Sequence, residues 1–547
     1  MRLRRIHPRD RARRLPAALA LTGVALCAVL TGCGGPRIQD HETGGDAAGT
    51  GTSWPGATAG QARTGCLDGD ETVLGGGVYR IAVTDSVLPD RAPIPHNPAE
   101  RLVFAHLYET LVRVDCDGTL QPGLAAHWSS NEDHTVWVFT IREGARFWDG
   151  ARITPEEVRQ AWRGNQDCPA GGRGSSPWTW FNAHARSVAV LDGRRLSVQL
   201  PEPQADFPRL LAHPATAVCA RRPGWTWPVG SGCARLQATT PPPLPELVCQ
   251  PNLHHPEAPS WKQLVFVCRP GTDPRDLVTA GAGGPDLVVL DDLRSREFYD
   301  ALPGYRVSAL PWTRLFLLFC PPRQNAPDGR RWGSDLAAGL KASPPGLIAW
   351  RHWPQPVVPP WTGESCPQLH GPVADRSAAP VAWNLAGLPL GPDALAYRAG
   401  VPGLEELAER VAGEATFAPT LVPVAGPPLD FVLQWQMTGA VLLAVDQEFP
   451  DGCLQLAALL GRAGWIQQAA WPEGSPLPDD SYAGAALRLE PRPVDPLARL
   501  MENGWIQPLG VSHRWLAVRE TLGGMTVEFD GTPWLGGLGR LDDRELP

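Results

Sequence analysis

Apolar and polar positions begin to alternate at Val78. In "VYRIAV", Val78, Arg80 and Ala82 face one way and Tyr79, Ile81 and Val83 the other, the pattern of a buried strand. A helix follows with its start signals in place. Asn97 is a favoured N-cap, Pro98 suits the first helical position, and Glu100 stands three after the cap. Val103, Leu107 and Leu111 then recur at four-residue spacing on one face. Asp117-Gly118 marks a turn. In "HTVWVFTIREGARFWDG", Trp137, Phe139 and Ile141 share one strand face, and Asp149-Gly150 closes the segment. "TPEEVRQAW" repeats the capping logic with Thr154, Pro155 and Glu157, and "SVAVLDGRRLSVQL" pairs two strands across Asp192-Gly193. Strands interleaved with helices, and no internal repeat, give an α/β or α+β chain.

The amino-terminal region carries a different signal. Residues 1–14 hold seven arginines against one aspartate, and Leu15 to Leu30 is a largely apolar run of sixteen residues. A membrane span needs about 20 residues, so this run fits the core of an export signal. Leu30-Thr31-Gly32-Cys33 closes it and resembles the lipobox of bacterial lipoproteins. That resemblance implies cleavage after residue 32, a diacylglycerol on Cys33, and an extracytoplasmic, membrane-tied protein on the periplasmic or outer face of the cell membrane. Residues 33–75 are rich in Gly, Ala and Thr without periodicity and read as a flexible tether.

Composition narrows the function classes. The roughly 515 residues beyond the signal suffice for two or three lobes with sizeable cores. A net charge of −8 argues against a nucleic-acid partner, which needs a concentrated basic face. Twenty-two tryptophans are enough to line a pocket as well as fill cores. Ten cysteines remain in the mature chain, an even number in an exported protein, so at least one disulfide is expected. Cys219 and Cys233, flanking a Trp-rich loop, are one plausible pair. No CxxC and no zinc spacing occur, so no metal is expected, and no cofactor. His254-His255 lies in a proline-rich loop and reads as solvated. Neither G-x-S-x-G, H-E-x-x-H nor a P-loop is present, so the common hydrolase and nucleotide signatures are absent and no enzyme is expected. Asp149 in "FWDG" reads as a turn residue.

The elements from Leu107 to Val158, "LYETLVRVDCDGTLQPGLAAHWSSNEDHTVWVFTIREGARFWDGARITPEEV", resemble the family 5 solute-binding proteins of ABC importers, the peptide- and nickel-binding type. The match lies in a Tyr-Glu-x-Leu helix, an acidic-Gly turn, Pro-x-Leu-Ala, a Trp, a strand, a Phe-x-Asp-Gly turn, and a helix opened by an acidic pair and valine. Weaker likeness extends through "PVGSGCARL", "GGPDLVVL", "LPWTRLFLLFC", "PGLEELAERVAGE" and "WIQPLGVSHRWLAVRETLGGMTVEFDG", whereas Ser343 to Ala386 has no counterpart.

The resemblance implies an α/β, two-lobe periplasmic-binding architecture of type II with an extra amino-terminal subdomain. Lobe I would span 76–310, with the subdomain inserted at about 99–185, lobe II 311–487, and the return to lobe I 488–547. It implies a small solute, peptide or related, enclosed by hinge closure and delivered to an ABC permease. A diverged sensor or surface interaction lipoprotein is the alternative. Many peptide-binding relatives hold the ligand's amine with an aspartate in the segment matching "LRLEPRPVDP"; here Arg492 takes that position, or Glu490 after a shift of two. Arginine prefers carboxylate or phosphate, which would select an anionic or amine-blocked ligand. Trp312 and Arg314, on the crossing strand, complete the candidate ligand-binding set.

Overall fold

The computed structural model describes residues 38–39, 66–67, 71–166, 187–200, 203–237, 245–257, 259–279, 284–319, 345–352, 394–414, 420–424, 440–448 and 506–542. Cys33, Glu490 and Arg492 lie outside the described residues. No helix among them is long and apolar enough to cross a membrane.

Three larger sheets organise the fold. A five-stranded sheet has the order β1 (Ile38–Gln39), β6 (Ala125–Asn131), β7 (Val136–Ile141), β9 (Arg195–Gln199), β8 (Ser187–Val190). It forms the inserted subdomain. The sheet of the first lobe has seven strands, in the order β10 (Ala234–Leu236), β11 (Glu246–Pro251), β12 (Gln263–Cys268), β3 (Val78–Val83), β13 (Leu287–Leu290), β21 (Trp515–Arg519), β14 (Tyr305–Ala309). The second lobe has six, in the order β16 (Arg351–His352), β20 (Ile506–Ser512), β15 (Arg314–Phe319), β19 (Ala440–Asp446), β17 (Ala394–Arg398), β18 (Thr420–Val424). Small ladders complete it: β4 (Val112–Val114) with β5 (Leu120–Pro122), β2 (Val73–Leu74) with β25 (Gly539–Leu541) and β22 (Leu522–Gly523), and β23 (Thr526–Val527) with β24 (Pro533–Trp534). This is the α/β two-lobe architecture expected, with its extra subdomain.

The first lobe and the subdomain share one continuous core, in which Phe104, Phe139, Phe147 and Phe266 are fully buried. The second lobe has its own, built from Phe316, Leu395, Leu407 and Leu442. Among the described residues, two stretches carry the chain between the sheets: Leu310–Thr313 joins β14 to β15, and His513–Arg514 joins β20 to β21. The return does not lie near Arg488, because the chain still pairs with β15 as far as Ser512 before it enters the first-lobe sheet.

Local chemistry explains the helix starts. Asn97 accepts a hydrogen bond from the Glu100 N–H at 2.8 Å and caps α1 (Pro98–Leu107). The helix stops before Leu111, which is buried ahead of β4. Thr154 opens α2 (Pro155–Gln166) through the Glu157 N–H. Asp192 accepts from the Arg194 and Arg195 N–H groups and shapes the β8–β9 turn. That hairpin lies beyond residue 185 yet completes the subdomain sheet through β9–β7 pairing, so the insertion is longer than expected. The 33–75 stretch is also more engaged than a free tether. Ile38–Gln39 pairs with β6, and Glu71 binds Arg306 and the Gly524 N–H. A disulfide joins Cys66 to Cys116.

The Cys219–Cys233 pair is not formed: Cys233 is a buried free thiol. The Ala220↔Val229 bridge places Cys219 opposite Gly230, three residues short of Cys233, or roughly 10 Å along an extended chain. That exceeds the reach of a disulfide.

Candidate functional site

The three parallel strands β12, β3 and β13 end at one edge of the first-lobe sheet, and open α/β sheets bind ligands beyond the carboxyl ends of such strands. A cleft of about 500 Å³, open to solvent, lies there. It is lined by the strand ends, by Pro98, Ala99 and Leu102 of α1, by Asp85, Asp291 and Arg514, and by residues 531–533. Both interlobe connections pass beside it. Arg314, just inside the second lobe, donates to both oxygens of Asp446, from Nε at 2.8 Å and from the terminal nitrogen at 3.3 Å. A second terminal nitrogen of Arg314 is 3.9 Å from Asp291. The Asp446 carboxyl is buried, which alone would raise its pKa, but the Arg314 and Arg514 charges hold it well below the usual range.

Trp312 sits in the crossing itself, packed edge-on to His513 at 4.5 Å, with the Arg351 guanidinium 4.4 Å over its ring. Of the sequence candidates, Trp312 and Arg314 are therefore brought together at the hinge, where Arg314 is committed to Asp446. Arg398, at the end of β17, was not singled out from sequence. It lies among Asp446, Arg314, Asp85 and Glu448 yet has no ion-pair or hydrogen-bond partner among the described residues. Burial lowers its pKa from the usual guanidinium value, though arginine stays charged at neutral pH.

A second pocket, open to solvent, runs along α1 in the first lobe, lined by Arg101, Phe104, Tyr108, Arg113, Glu528 and Trp534 among others. Its charges are matched. Arg101 binds Asp530 at 2.9 Å and reaches Glu448 of the second lobe at 3.6 Å. Arg113 pairs with Glu528 at 2.5 Å and covers the Trp534 ring at 4.1 Å. Glu109 receives two hydrogen bonds from Arg142, both 2.7 Å, and has His255 at 3.4 Å. Burial alone would raise the Glu109 carboxyl, but His255 and Arg142 together pull it down to about 2. His255 is thus buried against a carboxylate rather than solvated, because the loop after β11 folds back over Glu109. No group of three or more metal-ligating side chains occurs among the described residues. Asp149 accepts from the Ala151 N–H and pairs with Arg222, the turn role expected of it.

The two-crossing, two-lobe arrangement is that of the periplasmic binding proteins. Residues 119–293 match the family described as bacterial extracellular solute-binding proteins, family 5 Middle. That match covers about a third of the chain. It is similar to the periplasmic murein peptide-binding protein MppA of Escherichia coli, 34% identical over 101 residues, 18% of each chain. It is also similar to the periplasmic oligopeptide-binding protein OppA of the same organism, 29% identical over 135 residues, 22% of this chain and 24% of OppA. The aligned stretch therefore spans about a fifth to a quarter of these curated relatives. In fold, the chain resembles the ABC transporter-associated periplasmic binding protein DppA from Helicobacter pylori in complex with a peptide, with a TM-score of 0.61 at 13% identity, covering 86% of this chain and 99% of that one.

Proposed function

We propose that this chain is a lipid-anchored, extracytoplasmic solute-binding protein of an ABC importer, which encloses a small solute, a peptide or a related molecule, between its lobes. The observation that carries the reading is the pair of chain crossings beside a cleft at the carboxyl ends of parallel strands of the first lobe. The family match over residues 119–293 and the named relatives support it. Closure of the second lobe needs differential affinity for the closed form and no covalent chemistry. On the second-lobe side, Arg398 offers a guanidinium to an anionic group of the solute, and Arg492, with Glu490 as the alternative, joins it if that segment returns to the cleft. Anchoring rests on "LTGC" after a short apolar core, with Cys33 as the lipidated residue. Delivery is to a permease in the cytoplasmic membrane.

A thermal-shift screen of peptides, sugars and metal chelates tests the binding role, since a ligand of the folded state raises its apparent stability. At least one small solute should raise the melting temperature, and a screen in which none does removes the reading. Cys33→Ala should release the protein from membranes or leave the precursor unprocessed. Wild-type fractionation and processing of that variant would refute the anchor.

A further inference from the structure

The second lobe touches the first at a place beside the two crossings, through the carboxyl end of β19. Arg314 of β15 stands opposite Asp446, and the Gln447 N–H donates to the Thr313 carbonyl at 2.8 Å. Continued one residue further, that register sets Glu448 abreast of Trp312, where β15's chain has already left for the first lobe. Glu448 therefore overhangs its own sheet. First-lobe side chains meet it there. Arg101 of α1 directs one terminal nitrogen to the Gln447 carbonyl at 3.5 Å and the other to Glu448 Oε1 at 3.6 Å. His213 brings its Nε2 to 3.9 Å from Glu448 Oε2.

Both first-lobe groups are fixed by their own lobe. Asp530 binds Arg101 on its other side at 2.9 Å, so the guanidinium is aimed at the second lobe. Burial alone would lower the Arg101 pKa, but the Asp530 and Glu448 charges outweigh it and hold the value above the usual one. A carboxylate from each lobe thus shares one buried cation. His213 accepts the Ala215 N–H at Nδ1, capping the short turn Pro214–Thr216. That bond leaves the proton of the neutral imidazole on Nε2, the nitrogen facing Glu448. A contact within a crossing would survive a rotation of the lobes. This one lies outside the crossings and parts when the second lobe swings off α1.

Resting on the hinge closure proposed above, we propose that Glu448, gripped by Arg101 and His213, is a latch that draws the lobes together before any solute arrives. The solute then meets a chain whose closed form is already populated, and less of its binding free energy goes into closing the lobes. Apparent affinity scales with the fraction of competent protein, so the latch raises it for every solute alike. Glu448, Arg101 and His213 are positioning residues in this role: each touches the other lobe and none needs to touch the solute. The Glu448 side chain is 28% exposed, so the latch is within reach of salt.

The test needs no solute. Small-angle scattering compares wild type, Glu448→Gln and Glu448→Lys, each as the full chain after residue 33, with circular dichroism confirming that each is folded. In low salt, wild type should have the smallest radius of gyration. The ratio of open to closed molecules should rise roughly three- to tenfold in Glu448→Gln, and further in Glu448→Lys, where the cation meets Arg101. Sodium chloride at ~1 M, where the Debye length is ~3 Å, should expand wild type toward the variants and leave Glu448→Gln unchanged. Equal radii for wild type and Glu448→Gln in low salt overturn the latch, and so does a wild-type radius indifferent to salt. If Glu448→Lys fails to fold, Glu448→Gln decides alone, since it keeps the side chain's shape and loses only its charge. Either failure leaves the binding role standing, because a solute can close lobes that are open without it.

Discussion

Two groups of charge in the first lobe, one buried and one half-buried, make an instructive contrast. Around Glu109 the acceptors are met: Arg142 supplies two hydrogen bonds, and His255 closes the remaining side. Asp85 and Asp291 line a cleft, and Asp291 is held by Arg314 and Arg514 as ion pairs at 3.9 and 3.8 Å, without a hydrogen bond to its buried Oδ1. Both sites are built from the same residue types. What separates them is whether the fold completes the hydrogen bonds itself. A cluster that does so is part of the scaffold; one that does not leaves acceptor positions to water.

The contrast can be broken most forcefully at Arg142. Arg142→Ala strands Glu109 in a buried position and should cost about 3–5 kcal/mol, read as a lower urea midpoint. A loss under about 1 kcal/mol would mean that the Glu109 cluster is no more structural than the cleft.

The next effect comes from His106, which is fully buried, donates through Nδ1 to the Leu102 carbonyl at 2.7 Å, and accepts the Leu535 N–H at Nε2. Burial pulls its pKa down to about 4. The unfolded chain then takes up the proton first, so this contribution is intact above about pH 6.5 and is lost as pH falls toward 4, on the order of 3 kcal/mol in all. The difference between wild type and His106→Gln isolates it from Glu100, whose carboxyl burial raises to about 7 and whose contribution runs the other way. A flat difference profile between pH 7 and 4 contradicts the assignment.

The smallest effect is defined by its sign. Asp85 is raised in the folded state, so its ionisation costs stability as pH climbs from its unfolded value through its folded one. Glu109 is depressed, and its contribution disappears only below about pH 4.5, toward 2. Subtracting the Asp85→Asn pH profile from wild type should therefore show wild type gaining relative stability on mild acidification. The opposite slope would place Asp85 with the satisfied cluster.

Much of this was legible in the chain because the deciding interactions are local. Asn97 and Thr154 cap the next turn, and Asp149 and Asp192 bind N–H groups two or three residues ahead, so each signal lies beside its consequence. The family pattern from Leu107 to Val158 carried the fold. The cleft acids were not legible. Each follows an apolar strand run, "RIAV" or "LVVL", and that is the one hint; their pairing depends on a register between segments about two hundred residues apart. The Cys66–Cys116 bridge and the burial of His255 depend likewise on distant contacts. The proposed pairing of Cys219 with Cys233 failed because nearness in sequence says little about cross-strand register.

The bridge between Cys66 and Cys116 also changes what a protease can accomplish on an exported protein. A single cut anywhere from residue 67 to 115 leaves the amino-terminal tail covalently attached to the body, whereas a cut between residues 34 and 65 breaks the covalent link between the tail and everything downstream. On a gel, a nick between 67 and 115 leaves the full-length mass before reduction and separates into two fragments after it.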